Sequence, residues 1–426
     1  MEQESPIVPN DLPPGASKHL PRQARAPLQR EALLDEITRA AEQLGFVGLG
    51  VAPVDDLSAA KQRWQAWLAQ GNHGEMAYVA DGQRATPRSL LAAARSAICV
   101  ALPYAANREL VPLRLSREQA ARAPAVGSVA GYAQGGDYHS VLWRKLLALA
   151  DHVADFVGSP IVARPCVDTA PLLERALAAS SGLGFVGKNG LLIRPGLGSY
   201  MLLGELLVDV DLPYGEPARD RCGECRACLD SCPTGAFRGP HDLDARRCIA
   251  YLTIELRSAI PRELRPLIGQ RIFGCDACQS VCPFNSEPAI ARAGSAPELT
   301  SQQQALDLLD LLDLGSGAYK RLVRETSMRR VSRAQLARNA AVALGNLADP
   351  VHVPALIQAV DTQPRALVRE HLAWALGRLG GAEAEACLRR LAEADPEPSV
   401  RAEARQSLAE MLAAAAAAPG DTARKA

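Results

Sequence analysis

From Glu31 the apolar residues recur at helical spacing, with Leu33, Leu34, Ile37, Ala41 and Leu44 on one face. The pattern breaks at Gly45-Phe46-Val47-Gly48-Leu49-Gly50-Val51, which predicts a strand, and resumes as a helix from about Ser58 to Ala69. Ala97-Ile98-Cys99-Val100-Ala101-Leu102 is a short uncharged run ending at Pro103, the pattern of a buried strand. A helix from about Ser140 to Val157, a strand around Pro160 to Ala163, a helix from Leu172 to Ser180 and a strand from Tyr200 to Val210 follow. Alternating helices and strands over 31–215 predict an α/β domain with helices covering a sheet. Residues 216–290 change to Cys, Gly, Pro and Arg, a module stapled by metal rather than by a large core. Beyond 330 the chain becomes Ala- and Leu-rich, with a repeat. Leu344, Leu376 and Leu408 are spaced by 32, as are Leu336, Val368 and Val400. Gly345 and Gly377 fit the same period, which Ala409 breaks. Such a period predicts a short HEAT-like stack over 300–415, too small to bury much unless it docks on the preceding module.

The 426 residues suit two or three domains. The fold class expected is α+β and multidomain: an α/β domain, a ferredoxin-like module and an α-helical repeat. Six prolines and few large apolar side chains in 1–30 predict a disordered tail, and 416–426 is read the same way. Lys plus Arg and Asp plus Glu are both 47, so a uniformly basic nucleic-acid binder is excluded while a local basic face is not. Aromatics at 4% argue against a surface built of base-stacking platforms. The start lacks the basic and apolar regions of a signal peptide, and no run is long enough for a membrane span. A cytoplasmic protein with free thiols is expected.

Cysteine carries the chemistry. Of eleven, eight fall between 222 and 282. Cys222-x2-Cys225-x2-Cys228-x3-Cys232-Pro233 matches the bacterial ferredoxin run, in which three close thiolates serve one cubane and the fourth serves the other. Cys275-x2-Cys278-x3-Cys282-Pro283 is a second half whose expected first cysteine, at Ile272, is missing; Cys248 can replace it. Crossover logic then gives Cys222, Cys225, Cys228 and Cys282 to one [4Fe–4S] cluster and Cys232, Cys248, Cys275 and Cys278 to the other. Zinc, the alternative, also uses Cys-x2-Cys pairs but calls for neither the third cysteine nor the prolines. Cys99, Cys166 and Cys387 read as small buried apolar residues.

Other motifs are weaker. Gly182-Leu-Gly184-Phe-Val-Gly187-Lys188 satisfies two nucleotide-binding patterns, but it follows a helix and precedes an apolar stretch, the reverse of the required order. A tight loop approaching some other polar group fits better. Asp137-Tyr138-His139 begins like a corrinoid lower-ligand motif, yet Leu142 stands in the glycine position. His139 then reads as a capping residue of the next helix. Asp168, just before Pro171 and a helix, reads either as an N-cap or as a catalytic acid.

Several segments together resemble the epoxyqueuosine reductases: Val167-Asp-Thr-Ala-Pro-Leu-Leu-Glu-Arg, Gly184-Phe-Val-Gly-Lys-Asn, Leu203-Gly-Glu-Leu-Leu, Cys248-Ile-Ala-Tyr-Leu-Thr-Ile-Glu and Gly274-Cys-Asp-Ala-Cys-Gln-Ser-Val-Cys-Pro. The resemblance spans about His73 to Asn285. It implies a cobalamin-dependent, two-cluster oxidoreductase that removes the epoxide oxygen from the modified wobble base of tRNA, the last step of queuosine synthesis. It implies Asp168 as proton donor, with a pKa raised in a dry pocket beside the corrin. It implies cobalamin contacts at Gly131, Tyr132, Asp137, His139, Lys188, Leu192, Leu203, Ala250, Cys275 and Asp276. Two positions depart from the pattern: Gly131 stands where relatives often carry a side chain, and Ala250 where serine is common, so a contact there would use backbone. The failed motif at Leu142 predicts no protein nitrogen on cobalt. Electrons would come from an external low-potential donor of flavodoxin or ferredoxin type, one at a time through the clusters.

For the tRNA, arginine rows offer phosphate contacts: Arg257, with Arg262 and Arg265 near it, and Arg329 and Arg330, with Arg338. Removing 330–415 is expected to weaken tRNA binding and leave the cofactors in place. The expected assembly is a monomer without membrane contact. Two other readings stay open: a related corrinoid reductase acting on a small molecule, such as a dehalogenase, and a non-enzymatic electron-transfer protein.

Overall fold

The computed structural model describes residues 30–55, 57–80, 86–104, 125–300 and 305–417, with the backbone alone at 17–19 and 112–113. Most of the two expected terminal tails lies outside the described residues.

The α/β part is built on five strands: β1 Ser17–His19, β2 Gly48–Pro53, β3 Ser96–Pro103, β4 Ile161–Cys166 and β5 Met201–Val208. Their order across the sheet is β1-β4-β5-β3-β2, and every neighbouring pair runs antiparallel. Helix–strand alternation in sequence therefore does not produce parallel crossovers here. All eight residues of β3 are buried, as its uncharged run requires. One face of the sheet, with Ile98, Val100, Leu102, Leu206 and Val208, packs on helices α1 (Arg30–Gln43) and α3 (Tyr138–Val157). The other face, with Cys99, Cys166 and Leu207, packs on α4 (Glu174–Ser180), while α2 (Ser58–Ala69) docks outside through the Trp67 indole on the Leu243 carbonyl. Helix α3 starts on Asp137, whose side chain accepts from the His139 amide, and stops at Gly158 in the left-handed conformation (φ +73°).

A second sheet of short strands orders as Arg271–Phe273, Val126–Val129, Ala305–Asp307 and Pro112–Leu113. It joins four separate segments of the chain. One apolar core runs from Ala125 through Ile249, Leu264 and Ile272 to Leu336, Leu376 and Ala404, so the cysteine-rich segment and the helical tail fold as one body.

The tail consists of α5 (Arg333–Leu347), α6 (Val353–Thr362), α7 (Ala366–Leu379), α8 (Ala382–Ala394) and α9 (Pro398–Ala417). The residues of the 32-residue period lie on α5, α7 and α9, which pack on one another. A Cβ on Gly345 would meet the Trp374 ring at 2.5 Å, and one on Gly377 would meet Ser407 at 2.7 Å. Ala409 occupies the third place, where no further helix among the described residues follows.

The first tail helix also braces the cysteine-rich segment. Tyr251–Glu255 forms a single π-helical turn, which leaves carbonyls without their usual helical donors. Fully buried Arg338 donates to the carbonyls of Leu252, Leu256 and Ser258, and Asn339 to those of Thr253 and Ile272. Arg265 is 2% exposed and pairs with Glu370 and Glu403. The expectation that Arg265 and Arg338 face phosphates is thus overturned: a planar cation suits a backbone carbonyl or a carboxylate as well as it suits a phosphate.

Candidate active site

The eight clustered thiols fall into two sets. Cys222 and Cys228 feel the charge of Cys282, and Cys228 and Cys282 that of Cys225. Cys248, Cys275 and Cys278 all feel Cys232, and Cys278 also feels Cys248 and Cys275. Cys278 feels Cys228 as well, where the sets come nearest. These neighbourhoods run along the partition expected from the crossover spacing. Burial pushes the Cys248 thiol up to about 11 and its neighbours in the same direction, so binding iron must release protons.

The glycine loop finds its partner here. Lys188 Nζ donates to the carbonyls of Gly223 and Cys225, at 2.5 and 3.0 Å, and Asn189 Nδ2 to that of Cys278, at 3.2 Å. One loop from the α/β domain thereby clasps the backbone of both thiol sets.

Asp168 sits in the turn after β4, at φ +37°, a left-handed conformation that aspartate tolerates better than most residues. It is not an N-cap. Helix α4 begins six residues later, with Leu173 in the cap position. Instead Asp168 Oδ2 accepts from the Tyr138 hydroxyl at 2.8 Å and lies 3.3 Å from His139 Nε2. His139 Nδ1 lies 2.7 Å from Asp137 Oδ1, and Arg329 Nε 3.4 Å from Asp137 Oδ2. The helix cap is therefore Asp137, and both nitrogens of His139 are committed.

Burial opposes charge on His139, but its bonds to Asp137 and Asp168, with the charges of both, push the imidazole up to about 9. Burial likewise opposes charge on Asp168, yet the imidazolium, the Tyr138 hydroxyl and the charge of Arg330 hold its carboxyl below the usual range. The Asp168 side chain is 58% exposed, so water moderates the effect without reversing it. The direction is opposite to the raised pKa expected, because a cation stands beside the acid.

Of the remaining expected contacts, Asp276, Gly131 and Tyr132 form a chain from Cys275 toward Tyr138. Asp276, next to Cys275, accepts from the Gly131 amide at 2.7 Å. Gly131 leads into Tyr132, whose ring lies 6.0 Å from that of Tyr138. Ala250 precedes the π turn, Leu192 is buried at 4%, and Leu203 is partly buried on the same sheet face as Glu205. Around Tyr132 stand the charges of Asp168, Asp276, Glu255 and Arg330. Arg330 pairs with Glu255 and lies over Tyr78, while Arg257 donates to Gln335 and to the Arg330 carbonyl. Tyr78, Tyr138 and Glu255 were not singled out in the sequence. Tyr138 and Glu255 lie inside motifs quoted above without a role of their own, and Tyr78 lies in none of them.

Three family models match: a 4Fe-4S double cluster binding domain over 221–285, epoxyqueuosine reductase QueG (DUF1730) over 84–169, and HEAT repeats over 328–409. The epoxyqueuosine reductase of Salmonella typhimurium is 38% identical over 357 residues, covering 83% of this chain and 90% of that protein. The chain belongs to the epoxyqueuosine reductase family. The Pseudomonas aeruginosa reductase is 41% identical over 345 residues, 79% of this chain and 92% of that protein. Among solved structures, an epoxyqueuosine reductase with an epoxyqueuosine-modified tRNA-Tyr stem loop aligns with TM-score 0.81 and 30% identity, covering 90% of this chain and all of that one. The Bacillus subtilis reductase, with an aspartate-bearing catalytic loop swung out of its active site, aligns with TM-score 0.80 and 29% identity over the same shares. A double-cluster module decides the metal against zinc. Among the described residues no helix is long and apolar enough to cross a membrane.

Proposed function

We propose that this chain reduces epoxyqueuosine to queuosine in tRNA, with two [4Fe–4S] clusters and cobalamin as cofactors and Asp168 as the acid at the epoxide oxygen. The observation that carries the reading is the placement of the Tyr138–Asp168–His139 group beyond Gly131, Tyr132 and Asp276 from the thiols of Cys275 and Cys278. An acid on one side and the cluster thiols on the other, joined through Asp276, Gly131 and Tyr132, support a corrin between them.

Cys222, Cys225, Cys228 and Cys282 would hold one cluster, and Cys232, Cys248, Cys275 and Cys278 the other. Gly131, Tyr132, Leu192, Leu203, Ala250 and Asp276 would hold cobalamin, which supplies a cobalt centre able to gather single electrons and act on the epoxide as a nucleophile. The donor set fits that group without a protein ligand on cobalt, because Asp137 and Asp168 already occupy both His139 nitrogens. Lys188 and Asn189 lock the two thiol sets against the α/β domain. Tyr138 and His139 fix the Asp168 carboxyl, whose Oδ2 they share. Arg329, beside the site and 38% exposed, would meet the tRNA backbone, with Arg257 and Arg330 shaping the rim. The electrons would enter from an external donor of flavodoxin or ferredoxin type.

The test is anaerobic reconstitution with iron, sulfide and cobalamin, followed by reduction in the presence of an epoxyqueuosine-bearing stem loop. Mass spectrometry should show loss of one oxygen atom from the base. A fully loaded, reducible protein that leaves the stem loop unchanged would overturn the assignment.

A further inference from the structure

Removing an epoxide oxygen as water consumes two electrons and two protons, and one carboxyl stores at most one proton. Asp168 is not alone. His139 is clamped between two carboxylates, 2.7 Å from Asp137 Oδ1 and 3.3 Å from Asp168 Oδ2. Asp137 cannot turn away: it is 7% exposed, caps α3 and is tied to Arg329. The imidazole stacks on the Tyr138 ring, centroids 4.0 Å apart, and the Tyr138 hydroxyl donates to the same oxygen of Asp168 that faces His139. A ring held this firmly at both nitrogens is placed for transfer along a single line, from Nε2 to Asp168.

Resting on the epoxide-reducing reading, we propose that His139 is the proton store of the site, a positioning residue that delivers protons to the departing oxygen through Asp168. As the first C–O bond breaks, the proton on Nε2 passes to Asp168 Oδ2 and from that carboxyl to the oxygen, so Asp168 ends ionised as it began. The neutral ring keeps its Nδ1 proton on Asp137. Water reprotonates Nε2, and a second passage converts the hydroxyl to water as the remaining C–O bond breaks. The external low-potential donor supplies the two electrons that leave the carbons joined as an alkene. The charges around the ring are Asp137 and Asp168, which favour imidazolium, and Arg329 and Arg330, which compete for those carboxylates; Tyr138 stays neutral because burial holds its hydroxyl well above its ordinary pKa. The balance keeps the proton on the ring at neutral pH. Transfer to Asp168 is uphill in the resting site and is drawn forward by the far more basic oxygen that forms.

The ring can be watched directly. In protein carrying labelled histidine, with clusters oxidised, the His139 signal is identified among seven histidines by its loss in His139→Gln. It should titrate near pH 9 and move down toward 6.5 in Asp168→Asn. The turnover of the stem loop should decline over the same alkaline range. In His139→Gln, kcat should fall roughly a hundredfold, the alkaline decline should vanish, and the KM for the stem loop should hold. A ring titrating near 6.5, or a His139→Gln enzyme keeping both rate and alkaline decline, would overturn the proposal. A wild-type protein whose ring titrates near 9 and answers to Asp168→Asn, but which leaves the stem loop untouched, would support the proton store and refute the substrate instead.

Discussion

Arg330 lies across the ring of Tyr78, its guanidinium carbon 4.9 Å from the ring centroid. Two of its nitrogens reach the two oxygens of Glu255, at 3.0 and 3.1 Å. Both the face and the fork of this planar cation are therefore spent inside the protein, at the rim that includes Asp168. Arg329, its neighbour, and exposed Arg324 keep more of their charge outward.

These neighbours should separate in a salt series. Arg324→Gln and Arg329→Gln should each reduce the slope of log affinity for tRNA against log salt by about 0.7 to 0.9, the share of one phosphate contact. Arg330→Gln should leave the slope alone and lower kcat, because it frees Glu255 and Tyr78. A slope that falls for Arg330→Gln would make it a phosphate ligand after all.

Anaerobic protein should contain about eight irons with sulfide per chain, two clusters of four. Cys228→Ala should remove one EPR signal and Cys278→Ala the other, since the two thiols belong to different sets. Loss of the same signal in both would break the partition.

What was legible in the sequence is what is set by local spacing. The cysteine runs fix three ligands within one or two turns of chain, and the 32-residue period fixes which tail helices touch. The second sheet was not legible, because its strands of two to four residues come from four places between 112 and 307. Nor was the antiparallel order of the main sheet, since periodicity marks a strand but not its neighbour's direction. The site itself joins Tyr78, Tyr138, Asp168, Glu255 and Arg330, residues scattered between 78 and 330, and arginine in a sequence does not show whether it meets a phosphate or its own backbone.

The shared core changes what truncation should do. Gln335, Arg338 and Asn339 hold the carbonyls of 252–258 and 272, next to Cys248 and Cys275. Deleting 330–415 should cost the second cluster along with the tail, in place of the clean loss of tRNA affinity expected from sequence. Ending the chain after Gly381 removes only α8 and α9 and should spare both clusters. Iron content of the two truncations decides the matter.

Glu205 is fully buried between Cys99 and Cys166 on adjacent strands, and neither carboxylate oxygen has a hydrogen-bond partner. Burial first, then the charges of Glu174 and Asp168, push its pKa well up. A carboxyl raised in the folded state contributes stability that is complete below the unfolded value of about 4.3 and is lost as pH climbs toward the folded one. Wild-type Tm should therefore fall between pH 5 and pH 8, and Glu205→Gln, which cannot ionise, should flatten that fall. Parallel profiles for the two proteins would mean that Glu205 is ionised in the fold.

The substitution that separates chemistry from architecture is Asp168→Asn. No cap is lost, because α4 starts at Glu174, and asparagine tolerates the left-handed backbone at φ +37° about as well as aspartate. Its carbonyl can still accept from Tyr138, so folding, iron content and the position of that ring should hardly move. What disappears is the carboxyl that receives and passes a proton. Turnover of an epoxide-bearing stem loop should fall by roughly two to four powers of ten, the scale of general-acid catalysis. Asp168→Ala should add a stability loss of about 1 kcal/mol, since a residue with an ordinary Cβ is strained in that conformation. If Asp168→Asn turns over at the wild-type rate, the carboxyl serves only to orient Tyr138 and His139, and the acid at the epoxide must be sought elsewhere.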